Sequence, residues 1–168
     1  MRVLGIDPGY GRVGYGAIEE QGNRLKALAY GVIETGAKMA FEERLLAIHK
    51  AVRDLVKKHR PDEVSLETLF FSKNTKTALK VAEARGVIRL ALAALKVPVL
   101  ECSPQDVKLA LAGFGGADKG QVTRMVTRLL GLAEPPRPDD AADALALGLA
   151  ALRSKSLRRL SALAKKGL

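Results

Sequence analysis

Apolar and polar residues alternate through the first 36 positions in three β-prone runs, near Arg2 to Ile6, Arg12 to Glu19 and Leu25 to Ile33. Gly9, Gly11, Gly22 and Asn23 stand between them as turn signals, so the pattern predicts an antiparallel meander. From Phe41 the period changes. Phe41, Leu45, Ile48, Val52 and Leu55 recur at helical spacing with Glu42, Glu43, Arg53 and Lys57 between them, which predicts an amphipathic helix ended by Pro61. Glu63 to Leu66 predicts a short strand, a polar, aromatic and basic stretch runs from Phe70 to Lys76, and a second long helix follows over about Thr77 to Leu95. Its later part, from Gly86, is apolar nearly all round apart from Arg89. That helix is therefore expected to be covered on two sides, one of which a second subunit can supply. Pro98 to Leu100 predicts another strand, Pro104 to Leu111 a short helix, and Gln121 to Leu130 a helix with Val122, Met125, Val126 and Leu129 on one side. Pro135, Pro136 and Pro138 make a stiff connector into a final helix over about Asp139 to Leu152. Strands and helices mixed in this order predict an α/β domain.

The chain has 168 residues, 48% apolar and 27% charged, enough for one compact globular domain with a buried core. Its longest apolar tracts, Leu90 to Leu95 and Ala144 to Leu152, fall well short of the roughly 20 residues that cross a bilayer. Asp7 interrupts the N-terminus too early for a signal peptide's apolar region, so the expected location is cytoplasmic. The net charge of +10 favours a polyanionic partner, with nucleic acid ahead of an anionic membrane surface. Arg153, Lys155, Arg158, Arg159, Lys165 and Lys166 fall in a C-terminal stretch without acids. A solvated helical extension and a phosphate-contacting segment both fit that tail. Cys102 is the single cysteine and only His49 and His59 accompany it, which excludes an internal disulfide and a zinc cluster and leaves oxygen donors for any metal.

Four carboxylates stand out. Asp7 ends an apolar strand just before Pro8-Gly9, a position that suits chemistry, although an Asx-turn is its structural alternative. Glu67 ends the strand Glu63 to Leu66 in the same way, with solvated glutamate as its alternative. Asp140 and Asp143 project from one face of the final helix among Ala141, Ala142, Ala144, Leu145 and Leu149. Helix capping, expected of Asp139, can also account for Asp140 but not for Asp143, since an aspartate inside an apolar helix is costly without a partner. If the strand ends and the helix converge, the acids stay ionised only when cations neutralise them, and oxygen ligands suit Mg²⁺ or Mn²⁺. Two such ions can activate a water and stabilise the leaving oxygen of a phosphodiester. Lys73, Lys76, Lys80, Arg85, Lys108 and Lys119 are candidates for the nucleic-acid backbone, with a solvated face as the alternative for most. Of Phe70 and Phe71, one can be core while the other is suited to stack on an unpaired base.

These residues together resemble the RuvC-type Holliday-junction resolvases of the ribonuclease H-like superfamily. The resemblance covers nearly the whole chain. It rests on Gly5-Ile6-Asp7-Pro8-Gly9 with Gly14-Tyr15-Gly16, Leu66-Glu67 with Phe70 and Lys73-Asn74, Ala84-Arg85-Gly86, Gln105 to Lys108, and Asp140-Ala141-Ala142-Asp143-Ala144-Leu145-Ala146. It implies a ribonuclease H-like mixed five-stranded sheet flanked by helices over residues 1–153, followed by the basic tail 154–168. It also implies a homodimeric endonuclease that cuts opposed strands of a four-way DNA junction with Mg²⁺, leaving ligatable 5′-phosphates, in recombination and repair. By position Asp7, Glu67, Asp140 and Asp143 fall on the family's metal carboxylates, Lys108 and Lys119 on bases near the scissile phosphate, and Phe70 on an aromatic that opens or stacks at the junction. Mn²⁺ is expected to substitute, with two ions per site, and the branch-migration proteins RuvA and RuvB are the implied partners. Asp139 departs from the pattern, since a neighbouring carboxylate can compete with Asp140. Two other classes share parts of these features: an actin-like or sugar-kinase phosphotransferase, which shares the Asp-x-Gly turn, and a non-catalytic nucleic-acid module, which has no need of Asp143.

Overall fold

The computed structural model describes residues 1–69 and 75–164, without the side chains of 75, 76 and 156–164. Five strands form one mixed sheet in the order β3-β2-β1-β4-β5. β1 (Arg2–Asp7), β2 (Arg12–Gln21) and β3 (Arg24–Glu34) make the expected meander, while β4 (Glu63–Glu67) and β5 (Val99–Cys102) add in parallel beyond β1. This arrangement is the ribonuclease H-like fold. The strand period of two divides the core cleanly. Leu4, Ile6, Val64 and Leu66 face α1 (Phe41–His59) and α2 (Thr75–Ala94), whose Ile48, Val52, Ile88 and Leu92 cover them. Val3 and Ile18 face the other way, toward Leu145 and Leu149 of α5 (Asp139–Ala164), and α3 (Pro104–Ala112) and α4 (Lys119–Leu129) pack on α5 and extend the same core with Val107 and Val126.

Glycine decides how closely α5 approaches. Gly5, Gly14 and Gly16 lie on the face that α5 covers, and Gly5 pairs with Gly16 while Asp7 pairs with Gly14. A Cβ on Gly5 would stand 1.8 Å from the Ala144 carbonyl oxygen, and one on Gly14 would stand 2.0 Å from that of Asp140. The helix backbone therefore rests directly on the strand backbone, and the same sheet face that is bare at Gly5 and Gly14 carries Asp7 at its end.

Several boundaries differ from the sequence reading. α4 begins at Lys119 because Asp118 caps it, accepting from the Gln121 amide while the Gln121 side chain accepts from the Asp118 amide at 2.9 Å. Asp139 is the first residue of α5 and not its cap, since the Pro138 carbonyl accepts from Ala141 and Ala142. α5 also runs 12 residues beyond its expected end at Leu152, to Ala164. No glycine or proline interrupts that stretch, and past the apolar run Arg153 donates to the Ala110 carbonyl at 2.9 Å while Lys155 pairs with Glu63 at 3.7 Å. The expected double cover of α2 is single within this chain. Ala84, Ile88 and Leu92 are buried, whereas Leu79 and Leu90 on the outer side are 60% and 63% exposed.

Candidate active site

Asp7 and Glu67 end adjacent parallel strands. Ile6 pairs with Leu66, so the next residue of each strand is an acid, and both acids point to the face that α5 covers. α5 brings Asp140 and Asp143 onto the same spot, because Gly14, the pairing partner of Asp7, lets the Asp140 backbone settle against the sheet there. All four predicted carboxylates are thus gathered at one end of the sheet.

The electrostatics show how close they are. Burial first, and then the charges of Glu67, Asp143 and Asp140, push the Asp7 carboxyl up to about 8, and a hydrogen bond to Glu67 holds its proton. Burial and Asp143 also raise Glu67, against the lowering effects of that hydrogen bond and of Lys119. Lys119 is a second neutralising device. Burial works against its ammonium, but the hydrogen bond and charge of Asp143, at 2.9 Å, and the pairing with Asp139, at 3.3 Å, outweigh it and raise its pKa. Arg12 does the same for Asp140, with Nη2 3.1 Å from its carboxylate.

Lys108 and Lys119 line a cavity of about 250 Å³ with Glu67 and Asp143, over a floor that includes Val107, Val122 and Leu147. Both lysines therefore stand beside Glu67 and Asp143. Lys80 is on the neighbouring surface, its ammonium 5.5 Å from the centre of the Tyr10 ring and 5.7 Å from that of Phe41. Arg85 is turned inward, donating to the Glu67 carbonyl at 3.0 Å and pairing with Glu101 at 2.9 Å, so it braces the strand end that carries Glu67. Phe70, Phe71, Lys73 and Asn74, and the side chain of Lys76, lie outside the described residues. Sequence reading passed over Arg12 and Glu34. Their opposition across the hairpin is readable from the strand pairing, but the contact with Asp140 exists only once α5 has docked.

The donor set fits a hard divalent cation: oxygen ligands alone, partly buried, with lysines at the rim. Among the described residues no three acidic, histidine or cysteine side chains already surround one point as metal ligands. Asp7 and Glu67 hold a proton between them, Lys119 holds Asp143 and Arg12 holds Asp140. Metal ions held by these carboxylates would have to take the place of that proton and of the two side-chain cations.

The protonated pair has a consequence for stability. Asp7 is raised from 3.8 to about 8, so the folded chain keeps a proton that the unfolded chain releases. That contribution is complete below pH 3.8 and lost as pH rises through 8. His59, lowered chiefly by burial and then by Lys58 and Arg2, acts with the opposite sign, but only up to its ordinary 6.5. Between pH 6.5 and 8 the metal-free protein is therefore expected to lose stability, by at most about 1.4 kcal/mol per pH unit for each proton released. Thermal melts across that window test this. Asp7→Asn should flatten the slope, and a wild-type Tm that stays level or climbs would refute the shared proton.

A ribonuclease H-like sheet whose strand ends and last helix present four carboxylates beside lysines defines a metal-dependent nuclease of the polynucleotidyl-hydrolysing class. Comparison with known proteins gives its kind. Residues 3–151 match the family model described as crossover junction endodeoxyribonuclease RuvC. The RuvC of Thermotoga petrophila is 48% identical over 159 residues, covering 94% of this chain and 96% of that protein. Among solved structures, Thermus thermophilus RuvC superposes with a TM-score of 0.87 at 38% identity, over 94% of this chain and 96% of that one. The same protein in complex with Holliday junction substrate gives 0.85 at 38% identity, over 89% and 92%. The chain belongs to the RuvC family of crossover junction endodeoxyribonucleases, enzymes that act on Holliday junctions.

Proposed function

We propose that the protein resolves four-way junctions as a homodimer, each subunit hydrolysing one of two opposed strands with Mg²⁺ and leaving ligatable 5′-phosphate ends, within recombination and repair. The carrying observation is the convergence of Asp7, Glu67, Asp140 and Asp143 beside Lys108 and Lys119. These four carboxylates would hold two Mg²⁺, for which Mn²⁺ substitutes. When bound, the ions supply an activated water for in-line attack and neutralise charge on the leaving oxygen. Lys119 and Lys108 stabilise the charge that develops on the phosphate. Lys73, Asn74, Lys76, Lys80 and Arg85 are assigned to the DNA-binding surface, Arg85 indirectly through the strand end it braces. Phe70 and Phe71 are assigned to stacking at the opened crossover.

The homodimer is supported by the outer face of α2. Leu79, Gly86, Leu90 and Ala93 fall on one side of the helix, and its two leucines are among the most exposed large apolar side chains described. The nuclease domain is assigned to residues 1–153 and the tail to 154–168, with RuvA and RuvB as the partners that deliver the junction. The described residues include no helix long and apolar enough to cross a membrane, in keeping with a cytoplasmic DNA enzyme. One experiment tests metal and dimer together. On a labelled synthetic junction with Mg²⁺, the protein should release paired nicks, and neither linear duplex nor omission of the metal should give product. Leu90→Glu should sediment at the mass of one chain and leave single nicks. Cutting without a divalent ion would remove the metal from the mechanism, and a dimeric, fully active Leu90→Glu would place the interface elsewhere.

A further inference from the structure

The four carboxylates do not share one environment. Glu67 and Asp143 line the cavity with Lys108 and Lys119. Asp140 lines a separate open groove of about 640 Å³ on the other side, between Arg12, Arg137 and the proline connector. Of the charges acting on Asp7, that of Asp140 is the weakest. Asp140 is thus the outlying member, and it is the one held by an arginine. Arg12 Nη2 is 3.1 Å from its Oδ2, while Arg12 Nε is 3.6 Å from Glu34 Oε1. Arg12 and Glu34 are partners across β2 and β3, so the guanidinium has a second carboxylate within reach without any movement of the backbone. The Asp140 main chain is in turn pinned by its contact with Gly14. Any exchange at Asp140 is therefore made by side-chain rotation alone.

We propose that Arg12 is a positioning residue that sets the order of metal loading: it occupies Asp140 as an internal counter-cation, and the second ion binds only by displacing it onto Glu34. The inference rests on the metal-nuclease reading given above. It makes the ion held by Asp7, Glu67 and Asp143 the tight one and the ion that recruits Asp140 the weak one. Glu34 helps the second ion by giving the displaced guanidinium somewhere to go. An arginine removed with no receiving partner would instead be left to compete for Asp140 with its full charge.

Calorimetric titration of the metal-free, full-length protein with Mn²⁺ alone, at fixed ionic strength and without DNA, tests this. The wild type should show a tight and a weak binding event. Arg12→Ala should tighten only the weak event, by about fivefold, the strength expected for a half-exposed ion pair. Glu34→Gln should weaken that same event. Arg137→Ala removes an equal charge from the same groove, without an ion pair to Asp140 among the described contacts, and should leave the weak event within about twofold of wild type. Arg12→Ala unchanged, tightening of both events alike, or an equal response to Arg137→Ala would each overturn the proposal. A wild type that takes up no Mn²⁺ would instead overturn the metal reading beneath it. Arg12 and Glu34 are half-exposed and exposed, at 48% and 71%, so the variants are expected to fold, and their melting curves verify it.

Discussion

Glu67→Gln and Asp143→Asn are expected to lower junction cleavage by about 10³-fold or more while leaving junction binding intact or slightly tighter. On the proposed mechanism each removes a carboxylate that would hold metal, which takes away several kcal/mol of transition-state stabilisation, and each 1.36 kcal/mol is tenfold in rate. Both substitutions are nearly isosteric, and each deletes a negative charge from the site proposed to receive the DNA backbone, so the electrostatic part of binding is not expected to suffer. Asp143→Asn has a second effect, because Lys119 loses its charged partner at 2.9 Å and keeps only the Asp139 carboxylate at 3.3 Å, which leaves more of its charge for phosphate. Single-turnover cleavage with Mg²⁺, set against a gel-shift titration without it, separates the two quantities. A variant that cuts at the wild-type rate leaves the mechanism. One that loses binding in proportion to cleavage belongs to DNA recognition instead.

The second large effect is expected at Gly5, which brings no side chain to the site and acts only through its contact with α5. In Gly5→Ala the new Cβ meets the Ala144 carbonyl oxygen at 1.8 Å and the Gly148 nitrogen at 2.8 Å, both main-chain atoms of α5. Neither can rotate away, so the helix must lift. Overpacking of this kind costs about 1–3 kcal/mol, and displacing catalytic groups by an ångström costs about 10²-fold in rate. Gly16→Ala should be milder, because its two nearest contacts, at 2.8 Å, are side-chain atoms of Leu145, which can partly yield, and its main-chain contact, the Leu145 nitrogen, stands at 2.9 Å and not at 1.8 Å. Thermal melts of both variants read the packing cost, and the cleavage rate of whichever stays folded reads the displacement. Wild-type stability and rate in Gly5→Ala would mean that α5 does not rest on the sheet as closely as described.

The meander, the two parallel strands beyond it and five helices were legible from periodicity, because each buries a face whose spacing matches its geometry. The carboxylates were legible for a different reason: Asp143 sits in an apolar helix where no local bond can justify it. Less visible were the features that arise only when distant segments meet. Arg12 reads as an ordinary strand-end cation until α5 brings Asp140 to it, and Arg85 reads as a surface base until β4 and β5 supply the Glu67 carbonyl and Glu101. The end of α5 was placed too early because the apolar pattern stops at Leu152, whereas the helix continues on tethers from Arg153 and Lys155. The α4 boundary was missed by two residues because the Asp118–Gln121 capping box was overlooked.

The division of the acids between the sheet and α5 also bears on chains that are never finished. A polypeptide stopped short of Asp139 keeps Asp7 and Glu67 but has no other half to the site, and it leaves Val3, Gly5 and Ile18 bare on one side of the sheet. Stalled synthesis or proteolytic clipping there is expected to yield an inactive and poorly folded fragment, which ties DNA cutting to molecules whose last long helix is already in place.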